Sequence, residues 1–436
     1  MCNLSESSSL KRLCEIVSLI DTKITVRKDT EKPYIGLENI PSQGSELLGW
    51  ELAESSISTN SVFSTADILF GKLRPNLRKC IAAPFDGYCS TDILVLRAKE
   101  GVVSKFAVRV LQSEVVGAVA EKTAIGTKMP RTSWMHLSDI TVFCPKPNEQ
   151  VKIARILDTL DTTIRETEAI IAKLKAVKQG LLHDLLTRGL DDNGELRPPQ
   201  SEAPSLYKQS PLGWIPKGWD SRKIEDCLIQ IVDGDRGKNY PSESEFTSDG
   251  YCLFLNAKNV TRDGFKFEET LFITEPKDRA LGSGKLERND IVITTRGTIG
   301  NFGFFDDSIT FEHMRVNSGM LILRNQDASI NSVFLFLSLI NYIFPFELQT
   351  KGSGSAQPQL PSKDLKTFHI LLPPIVEQVV IAEKIIKFEQ RVAFEETALS
   401  KAVKLKSGLM DDLLTGRVRV TPLLNHLPET SPEAVP

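Results

Sequence analysis

The stretch that decides the fold of this chain is EQVKIARILDTLDTTIRETEAIIAKLKAVKQGLLHDLLT (149–187). It returns without a gap as EQVVIAEKIIKFEQRVAFEETALSKAVKLKSGLMDDLLT (377–415), and 14 of the 39 aligned residues are identical. Shorter matches with drifting offsets precede both copies, such as STDILVLR (90–97) with NSGMLILR (317–324), and DILF (67–70) with DIVI (290–293). Such a repeat indicates an internal duplication, in which two copies of one scaffold carry loops of different length.

Both repeated stretches have the apolar period of a coiled-coil helix. In each copy, eight of ten positions spaced alternately four and three apart are apolar. The polar interruptions fall at equivalent places, among them Lys178 in the first copy and Lys406 in the second, and polar seam residues can fix register. We expect the two helices to pair antiparallel, because the first leaves one domain and the second returns after the other. The alternative is that each helix packs on its own domain. The seam of the first copy is Ile153, Leu157, Leu160, Ile164, Thr167, Ile171, Leu174, Lys178, Leu181 and Leu185.

Composition places the chain among ordinary globular proteins and excludes several classes. Its 436 residues predict two or three domains, and 41% hydrophobic with 25% charged residues argue against wholesale disorder. The net charge of −3 means that any nucleic-acid surface must be local. Seven cysteines without a CxxC pair predict a reducing, cytoplasmic setting rather than a disulfide framework. The longest apolar run, 333–346, is too short for a membrane span and predicts a buried element.

The regions outside the repeated helices read as mixed α+β domains. Short β-branched runs are bounded by Gly, Asn or Asp, and one helix is expected in each half, at 106–122 and around 333–346. The sequence therefore predicts a first domain at 1–148, a spacer helix at 149–189, a linker at 190–212, a second domain at 213–374, a spacer helix at 375–417 and a disordered tail at 418–436.

Catalytic and metal-binding motifs are missing from the sequence. The five histidines are scattered without HExxH, and neither GxSxG nor the Asn/Asp-Pro-Pro-Tyr/Phe signature of adenine methyltransferases occurs. The segment LGSGKL (281–286) resembles a phosphate loop only superficially, because Arg279 stands where its first glycine should be and Leu286 where Ser or Thr should bind magnesium. We therefore predict neither a catalytic residue nor a metal site.

Glycine-punctuated loops that carry Arg, Lys and Gln are the candidates for binding. Arg can bridge two guanine acceptors, Gln can bridge adenine, and glycine lets the backbone approach phosphate. The plain alternative is that these are solvated surface loops. The candidate DNA-binding residues are Lys72, Arg74, Arg78, Lys128, Arg131, Arg296, Arg315, Lys351, Gln357 and Gln359.

Taken in order, several segments resemble the specificity subunit of type I restriction–modification systems over almost the whole chain. They are YIGLENI (34–40), DILFGKLRPNLRKC (67–80), GTKMPRTSW (126–134), GWIPKGWD (213–220), DIVITTRGTIGN (290–301) and the doubled helices. The resemblance implies two related α+β target-recognition domains separated by two long antiparallel helices with pseudo-twofold symmetry. In that family each domain reads one half of a bipartite DNA site. One departure is that the first half lacks the GWIPxGW entry and starts directly at LKRLCEIV (10–17). Its N-terminal edge is therefore expected to be shorter or differently capped.

The resemblance also implies partners. It predicts double-stranded DNA as the ligand, two docked modification (adenine methyltransferase) subunits, restriction subunits that join through the complex, and no membrane. S-adenosylmethionine, ATP and magnesium are expected on those partner subunits and no cofactor on this chain, which is therefore not expected to be an enzyme. Two other readings stay open: the recognition half of a fused restriction or methylation enzyme, and a coiled-coil scaffold that binds no DNA.

Overall fold

The structure is a computed structural model that describes residues 9–25, 32–44, 46–53, 59–351 and 359–424, except for the side chains of 348–351. The chain divides into two compact units. Unit 1 comprises residues 1–171 together with 394–436, and unit 2 comprises residues 172–393. Each unit therefore contains one mixed domain, part of the first repeated helix and part of the second.

The helices of the described residues are α1 Leu13–Ile16, α2 Ser104–Gln112, α3 Glu114–Lys122, α4 Trp134–Leu137, α5 Pro147–Thr187, α6 Glu275–Ala280, α7 Ser332–Ser338, α8 Phe344–Lys351, α9 Ser362–Lys366, α10 Ile375–Thr415 and α11 Thr421–Leu424. The strands assigned to unit 1 are β1 Ser9–Arg12, β2 Val17–Ile20, β3 Lys23–Thr25, β4 Pro33–Ile35, β5 Glu51–Leu52, β6 Thr59–Phe63, β7 Ile68–Gly71, β8 Cys80–Ala82, β9 Gly87–Ser90, β10 Ile93–Ala98 and β11 Thr141–Cys144. Those assigned to unit 2 are β12 Tyr207–Ser210, β13 Gly213–Pro216, β14 Asp220–Lys223, β15 Ile229–Asp233, β16 Cys252–Leu255, β17 Val260–Thr261, β18 Gly264–Phe265, β19 Phe272–Ile273, β20 Ile291–Thr294, β21 Phe302–Phe304, β22 Met314–Val316, β23 Met320–Asn325 and β24 His369–Leu372.

The two units repeat the same sheet topology, which confirms the internal duplication. A four-stranded antiparallel sheet has the order β2-β10-β7-β8 in unit 1 and β15-β23-β20-β21 in unit 2. The register repeats as well, since Ile93 pairs with Gly71 as Met320 pairs with Thr294. Among the described strands, each unit also has a parallel pair, β4 with β9 in unit 1 and β16 with β22 in unit 2. A residue of unit 1 and a residue of unit 2 are equivalent when they hold the same place in the two copies of the repeat.

In each unit the beginning of one long helix packs against the end of the other. In unit 1, Ile153 and Leu157 of α5 share a buried apolar cluster with Leu413 and Leu414 of α10. Unit 2 has the reverse arrangement, in which Leu182, Leu185 and Leu186 of α5 are buried with Ile381 and Ile385 of α10. The antiparallel pairing predicted from the heptads is therefore confirmed in both units.

The Glu-Gln doublet near the start of each repeated helix makes similar contacts in both copies, and these contacts explain why the doublet recurs. The Gln150 side chain accepts from the backbone N–H of Val103 (2.8 Å) and donates to the carbonyl of Pro145 (2.8 Å). Gln378 repeats both bonds, at 2.8 Å each, with Asn331 and Pro373. These buried amides fasten each long helix to its own domain, because an unsatisfied buried amide would cost free energy.

The glutamate that precedes each of these glutamines makes a different contact. Glu149, at the start of α5, accepts two hydrogen bonds from the Arg419 guanidinium beyond the end of α10. Glu377, at the start of α10, accepts two from Arg197 beyond the end of α5. Each glutamate therefore joins the start of one long helix to the chain that leaves the other.

Three segments differ from the sequence expectation. The single helix expected at 106–122 is broken at Ser113 into α2 and α3, and its counterpart runs through a π-helical turn at Leu339–Ile343 between α7 and α8. The linker expected at 190–212 packs on unit 2, with Leu190 and Tyr207 buried. The tail expected from 418 begins with a buried Val420 and the turn α11, while 425–436 lie outside the described residues.

Candidate nucleic-acid interface

In unit 1 the loop that follows β7 lies against the loop that precedes α4. The backbone N–H of Arg74 donates to the carbonyl of Pro130 (2.7 Å), and the N–H of Thr132 donates to the carbonyl of Lys72 (3.0 Å). The N–H of Lys72 in turn donates to the carbonyl of Asp92, at 2.9 Å. Two segments almost sixty residues apart thus present Lys72, Arg74, Lys128 and Arg131 on one surface, called the unit 1 loop surface.

The cations of the unit 1 loop surface differ in how far they are already neutralised. Arg74 and Lys128 are exposed, and within the described part of the chain neither has an ion-pair partner. Arg131 donates two hydrogen bonds to Asp92, at 2.8 and 3.0 Å, and these bonds hold the pKa of Asp92 below its ordinary value. Arg74 and Lys128 are therefore the side chains best placed to meet an external anion.

Two other candidate arginines have their donors engaged inside the protein. Arg78 donates to both carboxylate oxygens of Glu114, at 2.6 and 2.9 Å, and lies beside Gly117 of α3. Arg315 is 5% exposed and bonds Asp278 at 2.5 Å, together with the carbonyls of Ser283 and Asp278. These contacts favour structural roles for Arg78 and Arg315, so neither arginine is part of a loop surface.

Unit 2 repeats the loop geometry of unit 1. The N–H of Leu360 donates to the carbonyl of Thr295 (3.0 Å), and the N–H of Thr295 donates to the carbonyl of Gly319 (2.8 Å). An isolated β-bridge joins Arg296 to Gln359, at the place where unit 1 joins Leu73 to Arg131. Arg296 and Gln359 are both exposed. The equivalent of Arg296 is therefore Leu73, one residue before Arg74, so the two units present their arginines from neighbouring rather than identical positions.

Sequence reasoning missed the loop after β15, which carries two exposed cations. The Arg236 guanidinium donates to the carbonyl of Ser318 (3.2 Å), directly before Gly319. Lys238 is exposed on the same loop. Asp235 shapes this loop by accepting from the backbone N–H groups of Gly237 and Gly282, both at 2.6 Å, and these bonds lower its pKa. The glycine-flanked arginine in DGDRGKN (233–239) was an available signal. Arg236, Lys238, Arg296 and Gln359 form the unit 2 loop surface.

Gln357 and the side chain of Lys351 lie outside the described residues. Among the residues that are described, no cluster of His, Cys, Asp or Glu could hold a metal ion. No helix in the described ranges is both long and apolar enough to cross a membrane.

Each loop surface combines exposed cations with groups that can recognise base edges. Guanidinium groups can bond phosphate or guanine, and an amide such as that of Gln359 can bond adenine at two points. Both kinds of contact are typical of binding to nucleic acid.

Comparison with known proteins identifies the family. The model of the type I restriction modification DNA specificity domain matches residues 4–176 and again 216–405. The putative type I restriction enzyme MjaX specificity subunit of Methanocaldococcus jannaschii is 22% identical, over 96% of this chain and 95% of that protein. The MjaVIII specificity subunit of the same organism is 27% identical, over 68% of this chain and 66% of that protein. The S subunit of the type I restriction-modification system of M. genitalium has a similar fold, with a TM-score of 0.54, 14% identity and coverage of 95% of this chain and 98% of that one. Because the two family matches together span most of its length, the protein belongs to the type I restriction–modification DNA specificity family.

Proposed function

We propose that the unit 1 and unit 2 loop surfaces each read one half of a two-part DNA site. As a member of its family the chain is a DNA-recognition subunit rather than an enzyme. The observation that carries the proposal is the repeated junction of two loops. It brings Arg74 into the unit 1 surface and Arg296 into the unit 2 surface, on backbones held by equivalent hydrogen bonds. A duplicated scaffold with different side chains at equivalent places suits two different half-sites.

The proposal extends to the partners. Specificity subunits of this family assemble with modification and restriction subunits. Because the chain contains two copies of one scaffold, we propose that it docks two modification subunits, one for each copy. In this arrangement S-adenosylmethionine, ATP and magnesium are bound by the partner subunits, and the purified chain alone transfers no methyl group. Residence in the cytoplasm is part of the same proposal.

Exchange of one domain tests the division of labour. Residues 213–374 would be replaced by the corresponding region of a relative with another specificity, and the modified sites would be mapped with the modification subunit present. We expect one half of the recognised sequence to change and the other to stay the same. A change in both halves, or in neither, would contradict independent reading.

Single arginines test the loop surfaces themselves. Arg74→Ala and Arg296→Ala should each cost about 1–3 kcal/mol of specific binding and relax one position of one half-site, if the arginine reads a base. Arg12→Ala and Arg222→Ala are matched controls, because these arginines lie on β1 and β14, are about half exposed and already pair with carboxylates. Selection from random duplexes, with and without the modification subunit, measures both affinity and sequence preference.

The same selection separates the other readings. A coiled-coil scaffold without DNA would show no sequence preference in either condition. Methyl transfer or cleavage by the chain alone would favour a fused enzyme.

A further inference from the structure

The loop that precedes α4 presents two exposed apolar side chains on the unit 1 loop surface. Ile125 is 75% exposed and Met129 is 49% exposed. Lys128 lies between them in the sequence, and the backbone N–H of Arg74 holds the same loop at the carbonyl of Pro130. Apolar surface gains free energy only when it leaves water for an apolar environment, and phosphate groups offer none. A surface that only held the DNA backbone would therefore not need Ile125 and Met129.

The backbone of this loop is fixed at both ends. The N–H of Ile125 donates to the carbonyl of Arg131 (2.9 Å), and the N–H of Arg131 donates back to the carbonyl of Ile125 (3.0 Å). The Arg131 guanidinium donates to the carbonyl of Met129 (3.3 Å), while its other donors bond Asp92. Gly126 has a φ of 114°, and a Cβ there would lie 3.2 Å from the carbonyl oxygen of Met129. The loop is therefore a tight turn with a defined shape.

This defined shape favours recognition through the exposed side chains. Side chains on a backbone that is already ordered lose less conformational entropy when they meet a ligand. Ile125 also has a stiff β-branched side chain. Arg131 is a positioning residue here, because its bonds to Asp92 and Met129 hold the loop in place.

The C5-methyl group of thymine is the apolar group that suits such side chains. In the major groove it distinguishes thymine from the other bases, whose edges present hydrogen-bond donors and acceptors. An aliphatic side chain that covers this methyl group removes apolar surface of both partners from water. Cations on the same surface can hold the neighbouring phosphates, which sets the position of the protein while the base contact supplies specificity.

We propose that Ile125 and Met129 recognise the C5-methyl group of a thymine in the half-site of unit 1. This inference rests on the proposed function, since it names the base that one of the two loop surfaces reads. Lys128 contacts a phosphate beside that thymine. The half-site of unit 1 therefore contains at least one T·A base pair.

Replacement of thymine by deoxyuridine tests the proposal, because it removes only the methyl group. The full chain in complex with its modification subunit would be titrated with labelled duplexes that contain the recognised site, and fluorescence anisotropy would give the Kd. The half-site of unit 1 is the half that exchange of residues 213–374 leaves unchanged. One deoxyuridine in this half-site should weaken binding about fourfold, the effect expected when one methyl group stays in water.

A double variant connects the methyl group to these two side chains. Ile125→Ala/Met129→Ala should weaken binding to the thymine duplex, and the same deoxyuridine should then have no further effect. Both side chains are exposed, so the variant should fold normally. Leu228→Ala is the matched control, because Leu228 is 68% exposed but precedes β15, at the opposite end of that strand from the loop that carries Arg236. This control should retain the full effect of deoxyuridine.

The proposal is overturned if no deoxyuridine in the half-site of unit 1 weakens binding, or if this half-site contains no thymine. It is also overturned if the double variant retains the effect of deoxyuridine, as it would if the loop contacted the modification subunit or inserted between base pairs. In all these cases the wild-type complex still prefers its own site, so the proposed function stands. A wild-type complex with no sequence preference would overturn the proposed function and this inference together.

Discussion

Polar residues at the seam between the two long helices predict that two equivalent substitutions will lower the free energy of unfolding by different amounts. Lys406 of α10 pairs with Asp161 of α5 in unit 1, and the equivalent Lys178 of α5 pairs with Glu389 of α10 in unit 2. The Asp161 and Lys406 side chains are 8% and 13% exposed, and Arg109, which is 2% exposed, adds a second cation 2.6 Å from the aspartate. The pair in unit 2 is much more open, at 30% for the lysine and 44% for the glutamate.

The exposed fractions of these side chains determine how much free energy of unfolding each substitution is expected to cost. Asp161→Asn removes the carboxylate that Lys406 and Arg109 share. Removal of one partner from a buried ion pair costs about 3–5 kcal/mol of stability. We expect about 3 kcal/mol, because Arg109 keeps its bond to Asp158 (2.6 Å) and Lys406 keeps the carbonyl of Gln43 (3.1 Å). Glu389→Gln should cost only about 0.5 kcal/mol, as is usual for exposed ion pairs.

Amide hydrogen exchange read peptide by peptide is the suitable assay, since it reports the opening free energy of each unit separately. Peptides from 403–414 should lose protection strongly in Asp161→Asn. Peptides from 174–186 should change little in Glu389→Gln. The double variants Asp161→Asn/Lys406→Met and Glu389→Gln/Lys178→Met measure the coupling in each pair.

The reasoning would be refuted if both single substitutions cost the same, or if Glu389→Gln cost more. Either result would mean that burial of the seam does not control the strength of these pairs. A coupling near zero between Asp161 and Lys406 would show that Arg109 alone neutralises the aspartate.

Three further predictions concern unit 2. Asp278→Asn should lower the free energy of unfolding by about 3–5 kcal/mol, because it leaves the buried Arg315 without its carboxylate, and urea denaturation measures this. Burial raises the pKa of Asp278, but hydrogen bonds from Lys285 and Arg315 outweigh it and hold that pKa below its ordinary value. The resulting stabilisation is therefore complete above the unfolded pKa of about 3.9 and is lost as pH falls through the folded value, so acid titration of wild type but not of Asp278→Asn should show this loss. Gly189→Ala should cost about 1–3 kcal/mol more than Gly194→Ala in melting experiments, since both glycines have positive φ (63° and 78°) but only Gly189 has side chains in the way of a Cβ.

Much of the fold follows from the sequence because the sequence contains two copies of one scaffold. The apolar period of 149–187 and its return at 377–415 predict two long helices, and the drifting offsets upstream predict paired domains. The structure confirms both, with α5 and α10 at Pro147–Thr187 and Ile375–Thr415 and with equivalent sheets in the two units. Periodicity is a local property, so it can be read without knowledge of tertiary contacts.

The break at Ser113 and the packed linker could not be predicted in the same way. The run 106–122 has helical composition throughout, but Ser113 takes extended backbone angles between α2 and α3. Leu190 and Tyr207 sit in a polar, proline-containing segment that reads as a linker, and yet they are buried in the structure. In both cases tertiary packing outweighs local preference, as it commonly does for short segments.

For the binding surface, the sequence by itself determined which loops carry cations, and only the tertiary structure decided which cations are available. Arg74, Arg296 and Arg315 all lie in short segments that contain a glycine within four residues of the arginine, and nothing in the local sequence separates them. The fold leaves Arg74 and Arg296 exposed but brings Asp278, thirty-seven residues earlier in the chain, against Arg315. It also places Arg236, which pairs with Asp233, beside Ser318, and the neighbouring Gly319 lies against Arg296. The physical reason is that a side chain's charge is fixed by its own chemistry, whereas its neutralisation depends on partners that meet it only after folding.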